Sequence, residues 1–187
     1  MIVRLVNMER INKKGQIWVE TVLYTLIGLT LIGIVLAIVT PKINESRDRI
    51  VVEQSIESLK IFDEKIKEVS ENAVGNTRVI SQFELGRGEL YIDGDKDMIV
   101  LVIKDLRKPF SQPGSEINLG SIKIESQEEQ KLNSVNLTLE YANINIQYDK
   151  EEVLRKFTSS KIPYSFIVKN ANSGSVLIVD IVETSGG

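Results

Sequence analysis

The chain has 187 residues and a formal charge of −3, from 23 basic and 26 acidic side chains. That balance argues against a broad basic surface for nucleic acid, so no nucleic-acid partner is predicted. Because there is no Cys and no His, the sequence excludes disulfides, thiolate nucleophiles, Cys/His zinc sites and Ser-His-Asp triads.

The first segment of the chain, residues 1–15, is a basic leader. Arg4, Arg10, Lys13 and Lys14 are opposed there only by Glu9. Basic residues are retained on the cytoplasmic side of a membrane, so this charge predicts a cytoplasmic leader if a membrane segment follows.

An apolar segment follows, and within it the 18 residues from Val22 to Val39 carry no charge. This length lies at the lower edge of a membrane span. A buried helix of a soluble protein is the alternative, but the flanking lysines and Trp18 at the boundary favour a membrane. The sequence therefore predicts a transmembrane helix over residues 16–40, with the chain that follows it outside the cell.

A second helical pattern occupies residues 41–75 and is amphipathic. Pro41 predicts a kink or a short break near its start, and Gly75 and Asn76 predict its end. Its acidic side chains, among them Glu64, Glu68 and Glu71, are predicted to face solvent and are assigned no catalytic role. Apolar residues recur every three or four positions and predict one buried stripe: Val52, Ile56, Leu59, Phe62, Ile66, Val69 and Ala73.

Beyond Thr77 the apolar pattern alternates, which is typical of strands. Strands are predicted over residues 79–85, 89–92, 98–104, 117–124, 135–141, 144–148, 164–169 and 176–182, and a short helix over residues 151–157. Seven or eight strands predict an antiparallel sheet or small sandwich over residues 76–187, packed on the amphipathic half of the long helix. The predicted fold class is α+β.

Three short motifs after the span have candidate roles. Asp93-Gly94-Asp95-Lys96-Asp97 is similar to the first half of a calcium loop, but Met98 replaces the loop glycine and no correctly spaced Glu follows. A hairpin turn is therefore predicted, with no metal and no cofactor. Asn44 and Asn136 begin Asn-Glu-Ser and Asn-Leu-Thr triplets and are candidate glycosylation acceptors.

The junction between leader and span carries a further motif. An ordinary secretory signal is cleaved after its apolar core, whereas here the glycine that suits cleavage, Gly15, precedes that core. Lys14-Gly15-Gln16, followed by Glu20 five residues after the glycine, resembles the class III signal peptide of type IV pilin-like proteins, especially the archaeal kind. Trp18 departs from the small residue often found there in the family. The leader has 15 residues from Met1 or eight from Met8.

The resemblance implies that a prepilin peptidase cuts after Gly15 and that Gln16 begins the mature chain. Glu20 of one subunit would then pair with the Gln16 ammonium of another. A carboxylate in hydrocarbon costs about 2.5–3.5 kcal/mol on insertion scales, and such pairing relieves that cost. The implied protein is a structural subunit, a major or minor pilin, that is membrane-bound before joining copies of itself or other pilins in an extracellular filament.

Two other functions are compatible with the sequence. A pseudopilin of a secretion or uptake machine would share the processing, and a single-pass anchored binding or adhesion domain would keep its leader. An enzyme is not predicted, because no acid/base pair stands out. Within the span, Thr21, Thr25 and Gly28 fall on one side of the helix, with Gly33 and Ala37 nearly opposite. Contacts with several neighbouring helices would explain this, and so would the general richness of membrane helices in Gly and Thr.

Overall fold

A computed structural model describes residues 3–128, 132–172 and 176–185, with side chains over 17–184 in those ranges. These residues form one helix, α1, spanning Val3–Ser70, followed by ten strands. The strands are β1 Thr77–Phe83, β2 Glu89–Asp93, β3 Met98–Leu106, β4 Glu116–Leu119, β5 Ile122–Glu128, β6 Asn133–Glu140, β7 Asn145–Tyr148, β8 Leu154–Thr158, β9 Tyr164–Asn170 and β10 Ile178–Ser185.

The chain divides into two compact units, Met1–Asn44 and Glu45–Gly187. The first unit is helical, and its helix includes Pro41 without a break. Of the two alternatives predicted at this proline, the short break is therefore wrong, and the kink stays a prediction. A proline removes one backbone donor and crowds one carbonyl, and the helical backbone on either side of Pro41 tolerates both.

The second unit contains two sheets. The four-stranded sheet, sheet A, has the order β1-β9-β10-β7, and only its β10–β7 pair is parallel. The six-stranded sheet, sheet B, has the order β4-β5-β6-β3-β2-β8 and is antiparallel throughout. The predicted α+β fold, a long helix packed on mostly antiparallel strands, is confirmed.

The apolar stripe of α1 forms the centre of the core. Every predicted stripe residue from Val52 to Val69 is buried, and Phe62 is fully buried. The Phe62 ring lies 5.6 Å from that of Phe83 and 5.3 Å from that of Phe166, measured between centroids. With no disulfide available, this packing of aromatic and aliphatic side chains must hold helix and sheets together.

The helix ends at Ser70, five residues before the predicted stop at Gly75. The side-chain amide of Asn170, at the end of β9, donates to the carbonyls of Val69 at 3.0 Å and Asn72 at 2.9 Å. These bonds satisfy carbonyls that a helix end leaves without an intrahelical partner. Ala73 therefore lies outside the helix and is exposed, so its assignment to the stripe is wrong.

Residues 151–157 do not form the predicted short helix. They contain most of β8, which pairs with β2 at the edge of sheet B. Within β8 only Phe157 is buried, with its ring 5.2 Å from that of Phe166. The segment is highly charged and has few apolar residues, which favoured a helix in the sequence. Pairing with β2 and burial of the Phe157 ring override that local preference for helix.

The predicted strand over residues 117–124 is two strands, β4 and β5, joined by a turn at Gly120 and Ser121. Gly120 has a φ of +64°, which glycine adopts without strain. Ile117 lies opposite Ile124, and Leu119 opposite Ile122. The hairpin turn predicted at 93–95 is confirmed between β2 and β3.

Candidate membrane and assembly helix

Residues 17–39 of α1 present apolar side chains on every side. All of them are exposed except the half-buried Gly28, and their large hydrophobic side chains range from 41% exposed at Val39 to 72% at Tyr24. Mean hydropathy reaches 2.7 over 18 residues. A helix that is apolar all round needs an apolar environment. By length and composition, this one could span a membrane.

The threonine hydroxyl groups of this segment, and that of Thr40 just after it, are satisfied within the helix. Thr21, Thr25, Thr30 and Thr40 each donate to the carbonyl four residues earlier, at distances of 2.7–2.9 Å. A polar group in hydrocarbon is costly unless its hydrogen bonds are made inside the protein. These threonine hydroxyl groups therefore need no water to accept their hydrogen bonds, and the segment suits a lipid environment.

Two glycines leave open notches in the surface of the apolar helix. Apart from the adjacent residues and the backbone of the same helical turns, no heavy atom lies within 4 Å of the position that a Cβ would occupy at Gly28 or at Gly33. Small residues allow the backbones of neighbouring membrane helices to approach closely. Because the two notches lie on different sides, the helix can accept close neighbours in more than one direction.

The residues of the predicted cleavage and pairing site lie at the start of this segment. Lys14, Gly15 and Gln16 belong to the helical backbone, but their side chains fall outside the described part of the chain. Glu20 is exposed, one helical turn after Gln16 and on the same face. Cleavage after Gly15 and pairing by Glu20 stay predictions.

The two candidate glycosylation acceptors do not lie in loops. Asn44 is half-buried on α1. Asn136 is half-buried in β6, a strand inside sheet B, opposite Val102 on one side and Glu125 on the other. Glycosylation at either position stays a prediction.

A buried carboxylate at Asp48 is a feature that was not predicted from the sequence. Its Oδ1 accepts from Arg87 Nη1 at 2.7 Å, and its Oδ2 accepts from the backbone N–H of Arg107 at 3.0 Å. Arg87 also donates to the Lys104 carbonyl at 2.7 Å. Burial alone would raise the pKa of Asp48, but the bonds and charges of the two arginines outweigh it and hold that pKa below its usual range.

This Asp48 cluster borders a cavity of about 220 Å³ whose apolar wall includes Val52, Leu106 and Phe110. Both carboxylate oxygens of Asp48 accept hydrogen bonds from the two arginines. The cluster thereby fastens the helix to the chain at the end of β3.

A second buried carboxylate, Asp63, fastens the middle of the helix. It accepts from Lys67 Nζ at 2.6 Å and from the Tyr141 hydroxyl at 3.2 Å. Burial, and then the charge of Asp63, raises the pKa of the Tyr141 hydroxyl above its usual range, so this tyrosine is a neutral donor. Lys67 also donates to Ser121 at 2.5 Å, which ties the helix to the β4–β5 turn.

No described group of three or more acidic side chains is placed to hold a metal ion. Of the buried polar groups of the second unit, Asp48, Asp63 and Asn170 attach the helix to the strands and loops. Comparison with known proteins adds no family: no family model, curated protein or solved structure matches this chain. Among the described residues, the apolar surface of residues 17–39 is the one that requires lipid or another protein to cover it.

Proposed function

We propose that this protein is a structural subunit, a major or minor pilin, of a type IV pilus-like surface filament. The observation that supports it most is the apolar surface of α1 from Ile17 to Val39, exposed on every side and preceded by Lys14, Gly15 and Gln16. Such a surface needs lipid before assembly and neighbouring helices after it.

The proposed subunit has two states. In the first, residues 1–15 remain in the cytoplasm, residues 16–40 cross the membrane and the domain lies outside, as the basic leader favours. In the second, a membrane prepilin peptidase has cut after Gly15, and the helix has left the lipid to pack among those of other subunits. The notches at Gly28 and Gly33 support close packing on more than one side.

Glu20 is proposed to set the register of the assembled helices. Cleavage creates an ammonium group on Gln16, and the Glu20 carboxylate of a neighbouring subunit would pair with it. A charge in hydrocarbon carries a cost of a few kcal/mol, which an ion pair in the same environment reduces. Correct docking is thereby favoured over misaligned packing.

The first test is the mature amino terminus, read by mass spectrometry. The expected mature chain begins at Gln16. Gly15→Val should block the cut, because the added side chain hinders close approach of the peptidase to the backbone. Asn12→Val, which changes the leader outside the cleavage motif, should be processed normally. A mature chain that begins beyond Val39 would mean an ordinary signal peptide and would overturn the proposal.

The second test removes the carboxylate. Glu20→Ala should insert into the membrane at least as well as the wild type, because a costly charge is gone. It should be cut normally and yet enter filaments poorly, as measured in sheared extracellular material. The neighbouring Thr21→Ala is the matched control and should assemble. Wild-type assembly of Glu20→Ala would contradict the register role.

The alternatives separate by simple measurements. A pseudopilin would be cut at the same bond but would be scarce in sheared filaments. An anchored binding or adhesion domain would retain its leader. Abundance and the state of the amino terminus therefore distinguish the three.

A further inference from the structure

The edge strands of the two sheets differ in how many of their outward backbone groups already have hydrogen-bond partners. In sheet A, edge strand β7 has its outward backbone donors occupied: Ile146 N–H donates to Asp97 Oδ1 at 2.8 Å, and Tyr148 N–H donates to the Glu151 carbonyl at 2.9 Å. The other edge, β1, carries a bulge between Ile80 and Phe83. Occupied donors and bulges both hinder the addition of another strand.

Sheet B has more open edges, β4 and β8. All four residues of β4 are exposed, as are four of the five in β8. Among the described residues, no hydrogen bond from outside the β4–β5 pair reaches the backbone of β4. At β8 the Thr158 carbonyl accepts from the Tyr164 hydroxyl at 2.8 Å. Among the described residues, the backbone of β4 and, apart from the Thr158 carbonyl, the outward backbone groups of β8 are left to pair with another strand.

The apolar row on the core face of sheet B continues out to β4. Ile122 and Ile124 of β5 are 1% and 3% exposed, whereas their partners on β4, Leu119 and Ile117, are 45% and 46% exposed. Directly opposed residues share a face. The core-facing side of sheet B is therefore covered as far as β5. At β4 the described helix and strands leave it partly exposed. A strand added beside β4 would cover the remainder.

The opposite, outer face carries complementary charge at the two edges. Near β4, Lys123 bridges Glu116 at 3.5 Å and Glu140 at 3.1 Å, with Glu125 directly across from Glu116. Carboxylates outnumber the ammonium there by three to one.

Near β8 the balance of the outer face is reversed. Lys156 and Lys104 flank Glu89 at 2.6 Å and 3.7 Å, so two ammonium groups face one carboxylate. Opposite net charges at the two edges favour contact of β4 with β8 over contact of either edge with itself.

We propose that β4 of one copy of this chain pairs with β8 of a second copy, so that sheet B continues from subunit to subunit. This inference rests on the proposed filament function. A contact between two different edges of the same sheet is heterologous: its repetition gives a ring where the rotation between copies closes and an open filament where it does not, and the proposed filament requires the open form. Ile117 and Leu119 would meet the core-face side of β8, which carries the buried Phe157 and the exposed Arg155, and Glu116 would meet the face that carries Lys156.

The absence of cysteine allows a direct test in the full-length chain. Asn118→Cys on β4 and Thr158→Cys on β8 place two exposed thiols on the outer face, to be linked by a short bismaleimide on intact cells. A ladder of dimers, trimers and higher species is expected. The matched control combines Asn118→Cys with Lys169→Cys, an exposed position on the interior strand β9, and should give no ladder. Glu116→Cys with Leu154→Cys serves as a second pair if the first does not fold.

The outcomes separate this inference from the proposed function. Chains that begin at Gln16 and form filaments but give no ladder would overturn the edge pairing alone. A ladder from chains that retain their leader would support the pairing and overturn the proposed processing. Dimers from Asn118→Cys alone would show a two-fold contact of β4 with itself and would overturn the β4–β8 pairing. Absence of both ladder and cleavage would overturn both.

Discussion

Two stretches of the same helix, residues 17–39 and residues 52–69, contrast in how they use apolar side chains. In the first stretch these side chains occur on all sides and remain exposed. In the second they fall in one stripe, from Val52 to Val69, and that stripe is buried. Both stretches have the hydrogen bonding of one α-helix, so the backbone does not account for the difference.

The contrast shows where each stretch finds its partners. The stripe is covered by strands of the same chain, because charged residues on the other side of the helix define a single inward face. The uniformly apolar stretch has no inward face, so it requires partners outside the chain, either lipid or other helices. The domain should therefore fold without the span, whereas the span has no defined packing without its surroundings.

A fragment of residues 45–187 should be soluble and folded on its own. The largest effect expected within it is that of Phe62→Ala. Loss of a fully buried ring should lower the free energy of unfolding by about 3–5 kcal/mol, and denaturant midpoints measure it. Ile61→Ala, at an adjacent position that is 43% exposed, should cost less than about 1 kcal/mol. Leu29→Ala in the intact chain should leave the domain midpoint unchanged. Equal effects of the first two variants would contradict the assigned helix face.

The second test concerns the buried carboxylate that fastens the helix. Asp48→Asn should cost about 1–3 kcal/mol near neutral pH, because charged hydrogen bonds to Arg87 and Arg107 are lost. The folded-state pKa of Asp48 lies below its ordinary value of 3.8. Its contribution is therefore complete above that value and is lost as the pH falls through the folded-state pKa.

Unfolding midpoints of wild type and Asp48→Asn should accordingly converge in acid. Glu53→Gln on the same helix is the matched control, since its ion pair with Arg49 is exposed on both sides. It should change stability by less than about 1 kcal/mol at any pH. A constant difference between wild type and Asp48→Asn across the acid range would show that the charge of Asp48 does not stabilise the fold.

The smallest expected effect is on the outer face of the helix. Glu64→Ala should change the free energy of unfolding by less than about 0.5 kcal/mol, because Glu64 is exposed. Glu68→Ala should cost more, because Glu68 is half-buried and accepts from Arg78 at 2.6 Å and from Lys65 at 2.9 Å. Denaturant midpoints of the two variants compare them directly. A larger cost for Glu64→Ala than for Glu68→Ala would show that the buried face of the helix has been assigned incorrectly.

Much of this fold could be predicted from local patterns. The stripe from Val52 to Val69 follows from apolar spacing, and the turn after β2 follows from Asp93 and Gly94. The turn at Gly120 also had a signal: apolar residues fall on odd positions at Ile117 and Leu119 and on even ones at Ile122 and Ile124. A change of parity across two residues indicates a tight turn.

Other features depend on contacts that are distant in sequence. In β8 a single buried residue, Phe157, gives no strand pattern, and its pairing with β2 joins segments far apart along the chain. The two buried aspartates had a partial signal, because Asp48 is four residues before Val52 and Asp63 is four after Leu59, both in line with the stripe. The arginine and tyrosine partners could not be predicted, because they come from strands and loops placed by the whole fold.

The connectivity of sheet A sets the order in which the domain can mature. Among the described strands, β1 pairs only with β9, and β7 only with β10. The Asn170 side chain that caps the helix lies 101 residues after Val69. The hairpins of sheet B can form soon after their strands are synthesised. Sheet A cannot form until residues 164–185, which contain β9 and β10, have been synthesised. Until then the Phe62 side of the helix lacks its cover. The late, long-range closure predicts slow folding and vulnerability to proteases until those strands are in place.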